Sequence, residues 1–125
     1  MKKPEIKIGS RKIGINHPPL IIVELGINHN GNLKLAKRMI DESIIAGADA
    51  VKFQKRDIDQ VYSKEYLEQS RQSPWGSTQR DQKEGLEFGE KEYDQIDNYC
   101  KEKKIEWLAS CWDLNSQKFL QKYKL

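Results

Sequence analysis

"IIVELGINHNG", residues 21–31, begins as an apolar strand and turns polar within a few residues. Its branched aliphatic side chains have the composition of a buried strand, yet a carboxylate, Glu24, stands near its end. Asn28, His29 and Asn30 follow, bracketed by Gly26 and Gly31. A strand that only filled a core would have no use for this polar group. Its meaning depends on which end of a sheet it occupies.

Downstream, Asn32 is placed to cap a helix. In "LKLAKRMIDESIIAGA", Leu33, Ala36, Ile40 and Ile44 share one helical face, and Lys34, Lys37, Arg38, Asp41 and Glu42 fall largely on the others. Gly47 ends this helix, and "DAVKFQ", residues 49–54, reads as a second strand. Strand, helix and strand within about thirty-five residues form a βαβ unit, with parallel strands and a right-handed crossover. Upstream, "IKIGSRKIGI", residues 6–15, alternates around Gly9-Ser10 and predicts a short β-hairpin ended by Pro18-Pro19.

Residues 55–89 are polar, contain "SPWGSTQRDQKEGLEF" and keep no sustained period, so they read as one long loop. Loops beyond about fifteen residues inside a compact domain are usually functional or disordered. Beyond it, "KEYDQIDNYCKEKK" places Tyr93, Ile96 and Cys100 in a core stripe at helical spacing. "IEWLAS", residues 105–110, is a third strand, and Asp113 caps a last short helix, "LNSQKFLQKY". No internal repeat or low-complexity segment interrupts the chain.

The order of elements predicts an α/β fold with parallel strands. In such folds, polar residues at the C-terminal ends of the strands line the ligand crevice. Glu24 ends the first strand, Lys52 and Gln54 the second, and Ser110 the third. Lys52 would hold an anionic group there, and Glu24 would hold hydroxyls. The alternative is that Glu24 and Lys52, at similar heights on neighbouring strands, simply pair as a buried salt bridge.

The remaining polar groups read two ways. "GINHNG" is only loosely like a phosphate loop: it lacks the G-x-G-x-x-G spacing and no Lys-Ser/Thr follows. Asn30 and Gly31 suit a turn, since both tolerate left-handed backbone. His29 is a candidate base or metal ligand, or else an exposed loop histidine with no chemical part. His17, beside two prolines, reads as structural. Arg71, Trp75, Arg80 and Lys83 either form a lid over an anionic, sugar-like substrate or lie on a solvated excursion with Trp75 packed locally.

Composition removes several classes. The 125 residues suffice for one domain, residues 1–125, and the formal charge of +3 comes from basic residues interleaved with acidic ones. Nucleic-acid binding needs lysines and arginines gathered on one face, and no such block is present. No apolar run reaches the roughly 18 residues of a membrane span, and nothing apolar follows "MKKPEIKIGSRK" as in a secretory signal. Cys100 and Cys111 match neither a disulfide scaffold nor zinc spacing, which predicts two reduced thiols in a cytoplasmic protein.

With "IIVELGINHNGN…AKRMIDESIIAGADAVKFQ", "SPWGSTQRDQKEGLEFGEKEYDQID" and "WLASCWD", the chain resembles the N-acetylneuraminate (sialic acid) synthase family. That family includes the legionaminic, pseudaminic and spore-coat polysaccharide synthases. The resemblance runs from about Ile6 to Leu125 and implies the N-terminal part of a (β/α)8 TIM barrel, about three βα units preceded by the hairpin. It implies condensation of phosphoenolpyruvate with an N-acetylated hexosamine, in which C3 of phosphoenolpyruvate attacks the sugar aldehyde and phosphate leaves. By resemblance, Glu24 would hydrogen-bond the sugar and Lys52 would neutralise phosphoenolpyruvate. Ser110 would bind its phosphate, with Gln54, Asn30 and Arg80 as further substrate contacts. A divalent metal, Mn2+ or Mg2+, would serve the complete enzyme from ligands on later strands. The parent protein would be a homodimer.

Two departures stand out. Where the family often reads Ser-Thr-Pro-Phe-Asp, this chain has "ASCWD". A full barrel needs roughly 250 residues and eight strands, so the expectation is an incomplete barrel that lacks the C-terminal antifreeze-like domain and is inactive alone. The competing reading is a small non-catalytic α/β binding or interaction domain of the flavodoxin type, which needs about five parallel strands.

Overall fold

A computed structural model of the chain describes residues 4–125. Strands β1 (Glu5–Ile8) and β2 (Arg11–Gly14) form the antiparallel hairpin. Gly9 turns it in left-handed backbone, φ +54, where a side chain would also strike the Glu106 carboxylate. The Arg11 guanidinium bonds the Asp49 carboxylate, whose other oxygen accepts from the Ile21 N–H at 2.8 Å. The hairpin therefore lies at the N-terminal end of the main sheet.

That sheet begins with β3 (Ile22–Gly26), α1 (Leu33–Ile45) and β4 (Ala50–Lys55). The Asn32 side chain caps α1 by accepting from the Leu35 N–H at 3.1 Å. Gly47, at φ +87, follows the last turn. Next come α2 (Ile58–Val61), α3 (Lys64–Leu67), a small hairpin of β5 (Ser70–Ser73) and β6 (Gly76–Thr78), and α4 (Gln79–Leu86). Then α5 (Glu90–Lys103), β7 (Glu106–Cys111) and α6 (Leu114–Leu120) complete the chain, with a 3-10 turn at Gln121–Tyr123. Asp113 caps α6 through the Ser116 N–H at 2.7 Å.

Strands β3, β4 and β7 form one parallel sheet in the order β3-β4-β7. Because side chains alternate along a strand, Val23, Leu25, Val51, Phe53, Trp107 and Ala109 all point to one face. There they meet Ala36 and Ile40 of α1, Tyr93, Ile96 and Cys100 of α5, and Leu120 and Tyr123 near the C-terminus. The opposite face carries Ile22, Glu24, Ala50, Lys52, Gln54, Leu108 and Ser110, and among the described residues no helix covers its C-terminal part, where Glu24, Lys52, Gln54 and Ser110 lie part-exposed. A doubly wound sheet is covered on both faces; a barrel wall is covered on its outside only. The fold is part of a TIM barrel, not closed in this chain.

Two expectations need correcting. The apolar run at residues 21–26 is not a fully buried strand. Ile21 and Ile22 are exposed, and only Leu25 and Gly26 are buried, because β3 is the edge strand and alternate side chains fall on the uncovered face. Residues 55–89 are not a loop either. Ser63 caps α3 through the Tyr66 N–H, and Thr78 and Asp81 form a capping box at α4. Ile58, Leu67 and Leu86 are buried. Each piece is too short to show a period of its own, and so none is visible in the pattern of apolar residues.

Candidate active site

The register of the sheet sets Glu24 beside Lys52, and Gln54 beside Ser110. Lys52 Nζ lies 2.5 Å from Glu24 Oε2, with the two side chains 31% and 45% exposed. They do pair, as one reading held, but in the open and not as a buried bridge. A lysine ammonium has three donors, so Lys52 can keep Glu24 and still receive an anion from the uncovered face.

Gly26 brings Gln54 into the group. The β3–β4 register shifts between Glu24 and Gly26, and Gly26 itself has φ +55. A Cβ at Gly26 would lie 3.4 Å from Gln54 Nε2 and 3.6 Å from Glu24 Oε1. The bulge thus aims the carboxylate and the amide at one spot. Beneath them the Tyr93 hydroxyl donates to the Gln54 carbonyl at 2.9 Å and ties the strand end to α5. Neither Gly26 nor Tyr93 was singled out for the site from sequence; "ELG" at the strand end was the available signal for the former.

Asn30 and Arg80 make other contacts. Asn30 sits in left-handed backbone, φ 51, and borders an open depression with Lys34, Lys37 and Gln95. Arg80 on α4 bonds Asp59 at 2.7 Å and Glu84 at 3.0 Å, which raises its pKa. Among the described residues no hydrogen bond or ion pair joins either one to Glu24, Lys52, Gln54 or Ser110. Of the residues weighed as a lid, three others lie as follows. Trp75 packs over Gly85, Lys83 is buried, and Arg71 is exposed.

His29 is not an exposed loop residue but 2% exposed. Its ring stacks on Phe88 with centroids 3.9 Å apart, and Nδ1 accepts from the Gly31 N–H at 3.2 Å. Burial pushes its pKa down to about 4, so the imidazole is neutral at physiological pH. Nearby, Gly31, at φ +66, lies so close to the Gly85 carbonyl that a Cβ would sit 2.1 Å from that oxygen. The glycine after His29-Asn30 therefore serves close approach as well as the turn. His17, just past the N-terminal hairpin, bonds Glu5 of β1 at 2.5 Å.

Among the described residues, no three His, Cys, Asp or Glu side chains gather to hold a metal, and no helix is long and apolar enough to cross a membrane. Both cysteines are free; burial pushes the Cys100 thiol up to about 12, which leaves it unreactive.

The model of the NeuB family matches residues 39–125. The chain belongs to the NeuB family. The N-acetylneuraminate-9-phosphate synthase of Homo sapiens is 38% identical to this NeuB-family chain over 112 residues, 88% of the chain and 31% of the relative. The N,N'-diacetyllegionaminic acid synthase of Legionella pneumophila is 34% identical over 117 residues, 90% of the chain and 32% of the relative. The solved N-acetylneuraminic acid (sialic acid) synthetase of Leptospira borgpetersenii serovar Hardjo-bovis superposes with a TM-score of 0.75 at 34% identity. That match covers 98% of this chain and 39% of that structure. The NeuB-family chain thus spans about a third of the length of the curated relatives it matches.

Proposed function

We propose that the protein carrying this chain condenses phosphoenolpyruvate with an N-acetylated hexosamine of the N-acetylmannosamine type, releasing phosphate and N-acetylneuraminate or a related acid. The observation that carries this reading is the convergence of Glu24, Lys52, Gln54 and Ser110 on the uncovered face of parallel strands in a NeuB-family chain. Lys52 offers a cation to the carboxylate or phosphate of phosphoenolpyruvate. Glu24 accepts hydrogen bonds from sugar hydroxyls, and its contact with Lys52 orients it. Ser110 donates its hydroxyl proton to a phosphate oxygen, and the Gln54 amide adds a neutral donor beside Glu24.

With both substrates held, C3 of phosphoenolpyruvate forms the new bond to the aldehyde carbon, and the aldehyde oxygen becomes a hydroxyl. Water adds at C2, and phosphate leaves with cleavage of the C–O bond. A divalent metal, Mn2+ or Mg2+, belongs to this reading as a cofactor held by residues outside this chain; the described residues offer no site for it, and the roles above do not depend on it. The reading also takes the parent protein as a cytoplasmic homodimer.

The test is phosphate release from phosphoenolpyruvate in the presence of N-acetylmannosamine or its relatives, using the native product that carries this sequence. Its intact mass is measured first. Sugar-dependent phosphate release from a product about three times this chain's size supports the reading. A product no larger than 14.6 kDa that binds neither substrate overturns it in favour of a non-catalytic binding domain.

A further inference from the structure

Two of the three tryptophans are accounted for by packing within the chain. Trp107 is buried, and its indole N–H donates to Asp97 at 3.1 Å. Trp75 lies flat on Gly85. Trp112, just past β7, is 50% exposed, and among the described residues its indole N–H bonds nothing.

The sheet register fixes its place. Gln54 and Ser110 are neighbours on β4 and β7. The ladder runs one step further, since the Trp112 N–H donates to the Lys55 carbonyl at 3.1 Å. Arg56 and Trp112 stand two residues beyond Gln54 and Ser110, and alternation returns their side chains to the same side of the sheet. There they meet, with the guanidinium 5.6 Å from the centre of the Trp112 ring, within cation–π reach. Trp112 therefore stands above Ser110, at the C-terminal rim of the uncovered face.

Arg56 backs the ring rigidly. It is buried, its Nε donates to Glu87 Oε1 at 2.6 Å, and its Nη1 donates to the Tyr62 hydroxyl at 2.9 Å. Its Nη2 is enclosed and has no hydrogen-bond partner, which leaves that part of the charge to the indole face. Tyr62 in turn stacks on Tyr66 with centroids 5.3 Å apart. The indole is thus pinned from one side and bare on the other. Such a surface suits the C–H groups of a sugar, and the unengaged N–H suits a hydroxyl or acetamido oxygen. Across the sheet from it, two strands and about 10 Å away, stands Glu24. An N-acetylated hexosamine is long enough to bridge that span.

We propose that Trp112 is a specificity-determining residue that takes the C–H surface of the amino sugar on its open face. This deepens the function proposed above and rests on it. The sugar would span from Glu24 to Trp112 over Gln54, with phosphoenolpyruvate beneath it on Lys52 and Ser110.

The parent protein is assayed for phosphate release with one substrate saturating and the other varied. Trp112→Ala should raise KM for N-acetylmannosamine about five- to tenfold and leave KM for phosphoenolpyruvate within about twofold of wild type. Trp112→Phe, which keeps a ring, should recover most of the loss. Equal rises in both KM values, an unchanged KM for the sugar, or a Trp112→Phe no better than Trp112→Ala would overturn the platform. So would a large drop in melting temperature without a change in KM, which would mean that the ring packs against another part of the parent protein. Should the wild type release no phosphate, the condensation reading fails, and saturation-transfer NMR of the parent protein with N-acetylmannosamine decides the platform alone. Irradiation of aromatic protons should then label the sugar C–H groups in wild type and much less in Trp112→Ala. Equal transfer in both, or none in either, would overturn it.

Discussion

At the residue scale, charge placement separates the groups that can do chemistry from those that hold the fold. Glu24 and Lys52 form an exposed pair, and such pairs contribute roughly 0–1 kcal/mol to stability. Lys52→Ala and Glu24→Gln in the full-length protein should therefore abolish phosphate release while shifting the melting temperature by no more than a few degrees. Kinetics and a circular-dichroism melt on the same preparations check this, and full activity in both variants would remove the pair from the site. His29 behaves oppositely. In the folded chain its pKa is held at about 4, against 6.5 when unfolded. The unfolded state therefore binds the proton more readily between those values. Stability is complete above pH 6.5 and falls as the pH drops towards 4, by up to about 3 kcal/mol. His29→Phe keeps the stack on Phe88 and should lose this part of the acid sensitivity. In denaturant melts between pH 6.5 and 4 the wild type should lose stability relative to His29→Phe as the pH falls; a constant difference between the two would mean that His29 titrates normally.

At the element scale, the excursion between β4 and α5 is the part whose packing is most specific. Gly85 lies within α4, where glycine is normally a liability. Here a Cβ would sit 2.2 Å from Trp75 Cγ, so only glycine lets the indole lie flat on the helix. Gly85→Ala should cost about 1–3 kcal/mol and expose Trp75, read by a thermal melt and a red shift in tryptophan emission. Thr78→Ala removes the side chain that accepts from the Asp81 N–H at 3.1 Å, and should cost about 1 kcal/mol. The excursion also touches the β3–α1 loop at Gly31 and His29, the glycine through the Gly85 carbonyl and the histidine through Phe88. Loosening α4 is thus expected to loosen the loop that follows Glu24, visible as faster amide exchange at Asn28 and Asn30.

At the scale of the whole molecule, the helices cover one face of the β3-β4-β7 sheet and leave the other to solvent. Ile22 and part of Leu108 lie on that open face, and the β3 and β7 edges present unpaired backbone. The isolated chain should associate in a concentration-dependent way in sedimentation velocity. A monomer with a sharp two-state melt would instead favour a self-sufficient binding domain. Much of this architecture was legible in the residues alone. The hairpin, the βαβ unit, the caps at Asn32 and Asp113 and the core stripe of Tyr93, Ile96 and Cys100 all depend on local periodicity and on side chains reaching their own backbone. Glu24, Lys52, Gln54 and Ser110 could be named because parallel strands end together, so position along the strand predicts position at the rim. The burial of His29, the order within residues 55–89, the pairing of Arg80 and the unpaired nitrogen of Arg56 were not legible. Each depends on which distant segment arrives beside it: Phe88 over His29, Trp75 over Gly85, Asp59 beside Arg80, Glu87 and Tyr62 around Arg56. Sequence alone determined the elements and their directions, because these follow from contacts a few residues apart. Only the tertiary structure decided which polar groups are satisfied, which are open to a ligand and which are sealed away, because those properties belong to contacts between segments far apart in the chain.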